Sequence, residues 1–587
     1  MRSSQIGIQT LREFPADADT LAQAWLVRGG YLVRHAAGIY CMTGLMFRVL
    51  RKLSQIIEEE MTRAGGCQVQ LPVLQRAELW KETGRWSVYE HQKLMFQVRD
   101  RKDALFGLAP TAEEVVCDLA RHLARSPSQL PLILFQQNLK FRDELRPRSG
   151  LLRAREFVMM DGYSFDIDSD GLDRSYRAMA RAYHAAFRRV GLNYIVVQAD
   201  SGAIGGTSSE EFMAVSAIGE DELLYCEDYA ANVERAVSAL EPAVLPADGA
   251  MEIVATPDRG SIEEVADFLG VSPTATLKSL VFDVVGDDGT DVVVALIRGD
   301  CQVNPVKLAN HLGAIDVRPS DPDTVERVTG CKPGFIGPVG LPPGVRVVAD
   351  RSLDGLTSLV CGCCQPDRHA VRARPGRDFV LPAPVDIRAA RAGETGPTGK
   401  TLQSCKGIEI GHIFKLGQKY SRALGAGVTD SQQDFRHFEM GCYGIGTTRL
   451  IAAIVDQNCS EDGGIRWPLA VAPFHVQILP LKSDDAPVME AARALESALE
   501  ARGVECLLDD RRGSVGARLK DSDIIGLPFR IVLGRGLKDG VVELFDRRAG
   551  TSADMPLADV VDRLAARVRE ELAEAGRRAA EVFAAAE

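Results

Sequence analysis

The sequence predicts an α/β protein of several domains, and three observations carry that prediction. The chain has 587 residues, more than one hydrophobic core can serve, so three or four domains are expected. Amphipathic helical stretches alternate with short apolar strands along its length. Two linkers rich in Pro, Ala and Gly, at 241–246 and 393–399, bracket a region whose pattern differs from what flanks it.

Taken in order, the first helix places Val49, Leu53, Ile56, Ile57 and Met61 on one side and stops at Gly65-Gly66, where glycine suits a helix C-terminus. A strand then runs to Pro72. A hairpin follows, with strands at 139–144 and 155–163 joined by a loop punctuated by Pro and Gly. Next, a helix at 172–190 aligns Leu172, Tyr176, Met179, Tyr183 and Phe187 as a core stripe. The bracketed region opens with a strand at 251–256. A helix comes next, with Ser261 as its N-cap and Glu263 and Glu264 in its first turn, and then strands at 277–285 and 291–298. The tail alternates strand (475–480), helix (486–502), strand (504–509), helix (517–525), strands (529–533, 541–545) and a last helix, which predicts a small mixed sheet. An Ala/Glu/Arg-rich helical extension follows Glu570. No long-period repeat is present.

Composition is that of a globular protein, 46% hydrophobic and 26% charged, with no apolar run long enough to span a membrane. Residues 1–6 lack the apolar core of a secretory signal. Thirteen scattered cysteines fit reduced thiols in the cytoplasm better than a disulfide framework. A formal net charge of −12 argues against indiscriminate nucleic-acid binding, DNA included, while leaving room for a local RNA surface.

Against that acidic background the segment 141–157, FRDELRPRSGLLRAREF, stands out. Four arginines follow Arg142 within it, and local positive charge in an acidic chain points to a phosphate-bearing ligand. Phe141 and Phe157 flank the charges, and Asp143, Glu144 and Glu156 interleave with them. An aromatic face, a carboxylate acceptor and guanidinium groups are what adenine plus a polyphosphate requires. The bland alternative is a solvated basic loop.

This hairpin resembles motif 2 of the class II aminoacyl-tRNA synthetases. The segment 441–449, GCYGIGTTR, resembles motif 3, and the helix and strand before Pro72 resemble motif 1. The resemblance implies an antiparallel-sheet catalytic core in two pieces, 1–222 and 407–469. Between them lies an inserted α/β editing domain, 223–406, and a mixed-sheet anticodon-binding domain occupies 470–587. It further implies that Arg142 holds the α-phosphate and the amino-acid carboxylate, and that Glu144 accepts from the adenine amino group. Phe157 stacks on adenine, Arg449 covers its other face, and Arg153 joins the ATP site. Arg142, Glu144 and Arg449 form the catalytic set. Gly444 and Gly446 let the backbone approach the nucleotide. ATP and Mg²⁺ are the implied cofactors, with no metal ligand expected from a protein side chain. Motif 1 implies a homodimer.

Finer resemblance is to bacterial-type prolyl-tRNA synthetases. Thr111 and Glu113 in 108–114 match that family's Thr-x-Glu loop, with Ala112 where histidine is frequent, and so imply contacts to the ammonium of L-proline. His412 and Phe414 in 410–421 match its pocket strand, and 203–212 matches another pocket segment, with Glu210 in place of histidine. The implied product is prolyl-tRNA(Pro), made through a prolyl-adenylate. The inserted domain would hydrolyse mischarged Ala-tRNA(Pro) with Lys278, Gly334, Asp350 and His369. Such a domain makes physical sense, because a missing methylene discriminates by only about 1–3 kcal/mol. Asp509, Asp510 and Arg511 are the implied anticodon readers. Cys361, Cys363 and Cys364 are spaced poorly for zinc. A non-catalytic RNA-binding relative, a synthetase for another amino acid such as threonine, and a pure deacylase are the competing functions. The presence of both Arg142 and Arg449 opposes the first, and the nucleotide motifs oppose the last.

Overall fold

The computed structural model describes residues 1–202, 204–286 and 289–584. The chain forms two compact units. One comprises residues 1–196, 201–220 and 406–587, and the other 197–200 and 221–405.

In the first unit, helix α1 (Gly44–Arg63) buries Val49, Leu53, Ile56, Ile57 and Met61 as its periodicity requires. Gly65, at φ +93°, turns the chain out of the helix. The strand after it is shorter than expected. β1 is only Cys67–Gln68, because beyond it side-chain amides replace the ladder: Leu71 N donates to Gln136 Oε1 and Asn138 Nδ2 donates to the Leu71 carbonyl, each at 2.9 Å. After helix α2 (Glu113–Leu123) come β2 (Leu132–Phe141) and β3 (Glu156–Asp166), paired antiparallel from Leu132↔Phe165 to Phe141↔Glu156. β2 begins earlier than its sequence suggested. Its buried polar residues Gln136 and Lys140 interrupt the apolar alternation that marks a strand. Helix α3 (Ser169–Arg189) starts at Asp168, whose side chain caps Gly171 N, and buries the expected stripe. β4 (Ser208–Val215) follows.

The second unit holds β5 (Glu252–Ala255) and helix α4 (Ile262–Leu269), entered through a Ser261/Glu264 capping box. It also holds β6 (Thr276–Gly286), β7 (Gly289–Arg298), β8 (Asp316–Pro319), β9 (Arg346–Ala349), β10 (Leu359–Gly362) and β11 (Arg368–Ala373). They form one sheet in the order β5-β11-β10-β6-β7-β9, with β8 paired to β6. Both faces are covered: along β7, Val294 and Leu296 enter one core while Val293 and Ala295 enter the other.

The chain returns through β12 (Gln403–Gly417), then β13 (Glu439–Ile445) and helix α5 (Thr447–Gln457). Within the first unit the sheet runs β4-β12-β13-β3-β2-β1, antiparallel except for the last pair. The points where the chain departs and returns lie side by side: Ser216 N donates to the Lys406 carbonyl at 3.1 Å. A Cβ on Gly219 would fall 2.3 Å from the Gly407 carbonyl oxygen, so only glycine fits there.

The tail comprises β14 (Val476–Pro480), α6 (Ala486–Glu500), β15 (Cys506–Leu508), α7 (Val515–Ile525), β16 (Phe529–Leu533), β17 (Val541–Asp546), β18 (Thr551–Pro556) and α8 (Leu557–Ala584). Its sheet, β15-β14-β16-β17-β18, is mixed as expected, with β14 parallel to β15 and β16. β18 escaped the sequence because it is an exposed edge strand with no apolar alternation. Helix α8 continues unbroken past Glu570, packs along α3 and buries Ala575 and Ala579.

Candidate active site

A cleft opens over β3, β12 and β13 of the first unit. At its outer end lies the β2–β3 loop. The Arg142 amide donates to the Arg155 carbonyl at 3.0 Å, which closes the loop and aims the Arg142 guanidinium over Phe157, 5.3 Å from the ring centroid. Arg153 donates to Glu144 at 2.7 Å and reaches Glu220 at 3.4 Å. Arg449 stands in the first turn of α5. Its Nη1 donates to Glu409 Oε2 at 2.6 Å and to the Glu409 carbonyl at 3.1 Å, and its Nε donates to the Leu152 carbonyl at 2.9 Å. A Cβ on Gly444 would meet only the Met159 sulfur, at 3.7 Å. Internal packing therefore does not demand glycine at 444, and the space faces the cleft.

Glu409 did not emerge from the sequence. Burial would raise its carboxyl pKa, but a hydrogen bond from His412 and the charges of Arg449 and Arg142 outweigh it and hold the group well below the usual carboxylate range. His412 Nδ1 lies 3.2 Å from Glu409 Oε1 and 3.6 Å from Glu211 Oε1. Ligand atoms of Glu211, Glu409 and His412 all fall within 4.8 Å of one another, the only such trio among the described residues. The Cys361–Cys364 run builds no comparable group: Cys363 Sγ and Cys364 Sγ donate to the carbonyls of Arg368 and Gly337.

The inner end is walled by Thr111, His412, Phe414 and Cys442, with the His412 and Phe414 rings stacked at 3.8 Å. Its floor includes Asp161, which accepts from Lys140 (2.6 Å), Gln136 (2.9 Å) and Tyr163 (3.0 Å). Asp161 was also missed, because two of its three partners, Gln136 and Lys140, are buried polar residues on a neighbouring strand. Ala112, in the histidine position, donates its N–H to the Tyr163 hydroxyl at 3.1 Å. Glu113, expected with Thr111 to contact the proline ammonium, does not itself line the cleft. Glu113 is fully buried behind Thr111 and Cys442. It accepts from Thr111 Oγ1 on both oxygens at 2.7 Å, from Arg85 at 2.9 Å and from Cys442 Sγ at 3.2 Å. As the first residue of α2 it also sits at the positive end of the helix dipole. Of the segment 203–212, Ala203 lies outside the described residues. Glu210 accepts from the Tyr176 hydroxyl at 2.8 Å, while Glu211 pairs in register with His412.

In the second unit, sheet register aligns the candidate editing residues. Leu277↔Cys361, Gly362↔His369, Lys278↔Ile297 and Leu296↔Ala349 put His369, Lys278 and Asp350 in one row across β11, β10, β6, β7 and the end of β9. Lys278 Nζ donates to the Cys301 carbonyl at 2.9 Å, and burial lowers its pKa. His369 Nδ1 lies 2.7 Å from Thr256 Oγ1, and burial likewise keeps the imidazole pKa down. Gly334 takes φ +101°, where a Cβ would meet Gly260 Cα at 3.0 Å. Asp350 is a correction. Its two oxygens accept from the backbone amides of Ser352 (2.8 Å) and Ile387 (2.9 Å), so the carboxylate caps a turn.

The tail needs a similar correction. Asp509 is fully buried and paired with Arg511 (2.9 Å) and Arg518 (3.3 Å), so it organises the loop instead of meeting a base. Arg511 is further held by Asp521 at 2.8 Å. Asp510 is nearer solvent and accepts from Ser4 N (3.0 Å) and Ser4 Oγ (2.7 Å).

A model of the tRNA synthetase class II core domain (G, H, P, S and T) matches residues 96–458, and one of an anticodon binding domain matches 475–579. The proline–tRNA ligase of Moorella thermoacetica is 45% identical over 577 residues, covering 97% of this chain and 99% of that protein. The proline–tRNA ligase of Syntrophotalea carbinolica is 45% identical over 580 residues, covering 98% and 100%. The chain belongs to the proline–tRNA ligase family. A ligase of this family attaches proline to tRNA, and the antiparallel core and mixed-sheet tail described above are its class II catalytic and anticodon-binding domains. The fold extends to distant members. Prolyl-tRNA synthetase from Cryptosporidium parvum complexed with L-proline and AMP superposes with a TM-score of 0.57 at 11% identity, covering 97% of this chain and 79% of that one. Its complex with halofuginone and AMPPNP gives 0.56 at 12% identity, covering 96% and 79%.

Proposed function

We propose that this ligase activates L-proline with ATP as prolyl-adenylate before transfer to tRNA(Pro). A proline carboxylate oxygen attacks the α-phosphorus, a carboxyl–phosphate bond forms, the α–β bridge breaks and pyrophosphate leaves. The terminal ribose hydroxyl of tRNA then attacks the carbonyl and AMP departs. The observation that carries this is one cleft holding Arg142 over Phe157 at one end and the Thr111/His412/Phe414 pocket at the other. Catalysis is then mostly positioning and charge neutralisation. Arg142 would hold the α-phosphate and carboxylate, Glu144 and Phe157 the adenine, and Arg153 and Arg449 the remaining nucleotide. The C. parvum complexes, with proline, AMP and AMPPNP, favour the same substrates.

Contrary to the expectation that no side chain would ligate the ion, Glu211 and Glu409 offer oxygen donors of the kind Mg²⁺ takes alongside substrate phosphates. Bound there, the ion would neutralise phosphate charge, and Arg449 would exchange its Glu409 contact for the nucleotide. Proline-dependent exchange of labelled pyrophosphate into ATP, run across the twenty amino acids, tests this reading. Strong exchange with proline and weak exchange with alanine is expected; silence with proline overturns it.

In the second unit, Lys278, His369 and the Gly334 loop are assigned to hydrolysis of Ala-tRNA(Pro), with Asp350 and its turn as their support. Lys278→Ala should spare proline charging and let Ala-tRNA(Pro) accumulate; unchanged deacylation rejects the assignment. A homodimer through α1 is consistent with its exposed Phe47. Thirteen free cysteines agree with work in the cytoplasm, and no helix among the described residues is long and apolar enough to cross a membrane.

A further inference from the structure

Residues 1–10 thread along the anticodon-binding domain, and none of the roles above uses them. Residues 1–3 add a short parallel stretch to the β15 edge of the tail sheet. Leu508 N, at the end of β15, donates to the Met1 carbonyl at 2.8 Å, and Ser3 N donates back to the Leu508 carbonyl at 2.9 Å. Just beyond β15, Ser4 engages both oxygens of Asp510: its N–H donates to Oδ1 at 3.0 Å and its hydroxyl to Oδ2 at 2.7 Å. A second attachment lies six residues on. Thr10 Oγ1 donates to Asp521 Oδ1 at 2.6 Å, and Asp521 Oδ2 accepts from Arg511 at 2.8 Å. The segment is then fastened to the catalytic core. Leu11 N donates to the Arg28 carbonyl at 2.9 Å, and the Arg28 side chain donates to the carbonyls of Leu11 (3.3 Å) and Arg12 (2.9 Å). Arg28 ends the helix Leu21–Arg28, whose Trp25 shares a core with Ile451 of α5, the helix that carries Arg449.

We propose that Ser4 is a positioning residue for reading the anticodon, acting through Asp510. Of the two aspartates in the loop, Asp509 is occupied by Arg511 and Arg518, whereas Asp510 takes part in no ion pair among the described residues. A carboxylate offers about four acceptor sites, and Ser4 fills two of them. The remainder can accept from the N1–H and the 2-amino group of a guanine, the base that proline anticodons carry at two shared positions. The proposal rests on the assignment of Asp510 to an anticodon base. A loop aspartate turns about two side-chain bonds. One residue that grips both oxygens fixes both bonds, so less freedom is lost when the RNA arrives. Ser4 can do this because it is itself held, by the β15 edge on one side and by Thr10 on Asp521 on the other.

The test is aminoacylation by the full-length enzyme and its Ser4→Ala, Ser4→Thr and Asp510→Asn variants. The substrates are tRNA(Pro) transcripts with guanine or inosine at either of the two shared anticodon positions. Inosine lacks only the 2-amino group. With the unaltered enzyme, inosine at one of the positions should lower kcat/KM for the tRNA about tenfold, the effect of one lost hydrogen bond to a charged group. Ser4→Ala removes the hydroxyl bond and leaves the backbone one. It should raise KM for the guanine transcript about fivefold and shrink the guanine-to-inosine ratio to about two. Proline-dependent pyrophosphate exchange, which needs no tRNA, should stay at the wild-type rate. Ser4→Thr keeps the hydroxyl and should restore the ratio. Guanine and inosine transcripts weakening by one common factor in Ser4→Ala would show that Ser4 only docks the N-terminal segment, and would overturn the proposal. An unchanged KM and ratio would do the same. If the unaltered enzyme discriminates at neither position, or Asp510→Asn leaves the ratio as it was, the assignment of Asp510 fails. If Asp510→Asn abolishes discrimination and Ser4→Ala does not, only the present proposal falls.

Discussion

The two ends of the cleft handle charge in opposite ways. At the inner end, Glu113, Glu114 and Arg85 are wholly buried, their hydrogen bonds complete apart from Arg85 Nε, and an aromatic cage holds the guanidinium. At the outer end, the Arg153–Glu144 pair leaves its guanidinium 41% exposed. Such pairs contribute about 0–1 kcal/mol, and an incoming phosphate can displace them at little cost. The inner end is organised before substrate arrives, whereas the outer end keeps its cations in reserve. A pocket for a small zwitterion needs shape and a fixed charge; a site that binds and then releases pyrophosphate needs partners that exchange.

Several substitutions would break or sharpen that contrast. The largest effect is expected from Arg142→Ala, which removes the guanidinium over Phe157. Loss of one preorganised donor to developing charge typically costs 10²–10³ in rate, and a charged one at the reacting phosphate should cost at least about 10³ in pyrophosphate exchange. The Tm should stay within a degree or two, and near-normal exchange would sink the nucleotide assignment. Arg85→Met should act on the fold instead. Breaking a buried ion pair costs about 3–5 kcal/mol, readable as a lowered denaturant midpoint. A loss below about 1 kcal/mol would show that the inner cluster is not preorganised.

Asp166 supplies an internal control, a buried acid with no ion-pair partner among the described residues. Burial raises its pKa from 3.8 to about 6. The folded state therefore holds the proton more tightly, and stability is lost as pH rises through that interval. Asp166→Asn should be the more stable protein at pH 8. Its advantage should be about 2 kcal/mol smaller at pH 4.5, measured by urea unfolding at both values. An advantage independent of pH would contradict the shift. The smallest effect belongs to Arg153→Ala, at less than about 1 kcal/mol of stability, with KM for ATP as the more sensitive readout.

The sequence was legible where chemistry is written in a contiguous run. Arg142 and Phe157, Gly444 to Arg449, Thr111, and His412 with Phe414 were each found from a short segment, and the structure brings them to one cleft. It was less legible where a side chain's role depends on a distant partner. Asp509 looked available until Arg518 was seen to cover it, and Asp350 until Ile387 N was seen to donate to it. Glu409, Asp161 and Arg85 left no local signal, since a lone polar residue in an apolar stretch reads the same whether it is paired or not. Strand limits failed for a related reason: Gln136 and Lys140 in β2 obey the cleft floor and not the period of two.

The near contact of Gly219 with Gly407 has a consequence for mutation at the point where the chain leaves the core and comes back. A Cβ at 219 would sit 2.3 Å from the Gly407 carbonyl oxygen, so any other residue there must force the two passing backbones apart. The strain would be felt where Ser216 N meets the Lys406 carbonyl, and so along β12, the strand that carries His412 and Phe414 to the cleft.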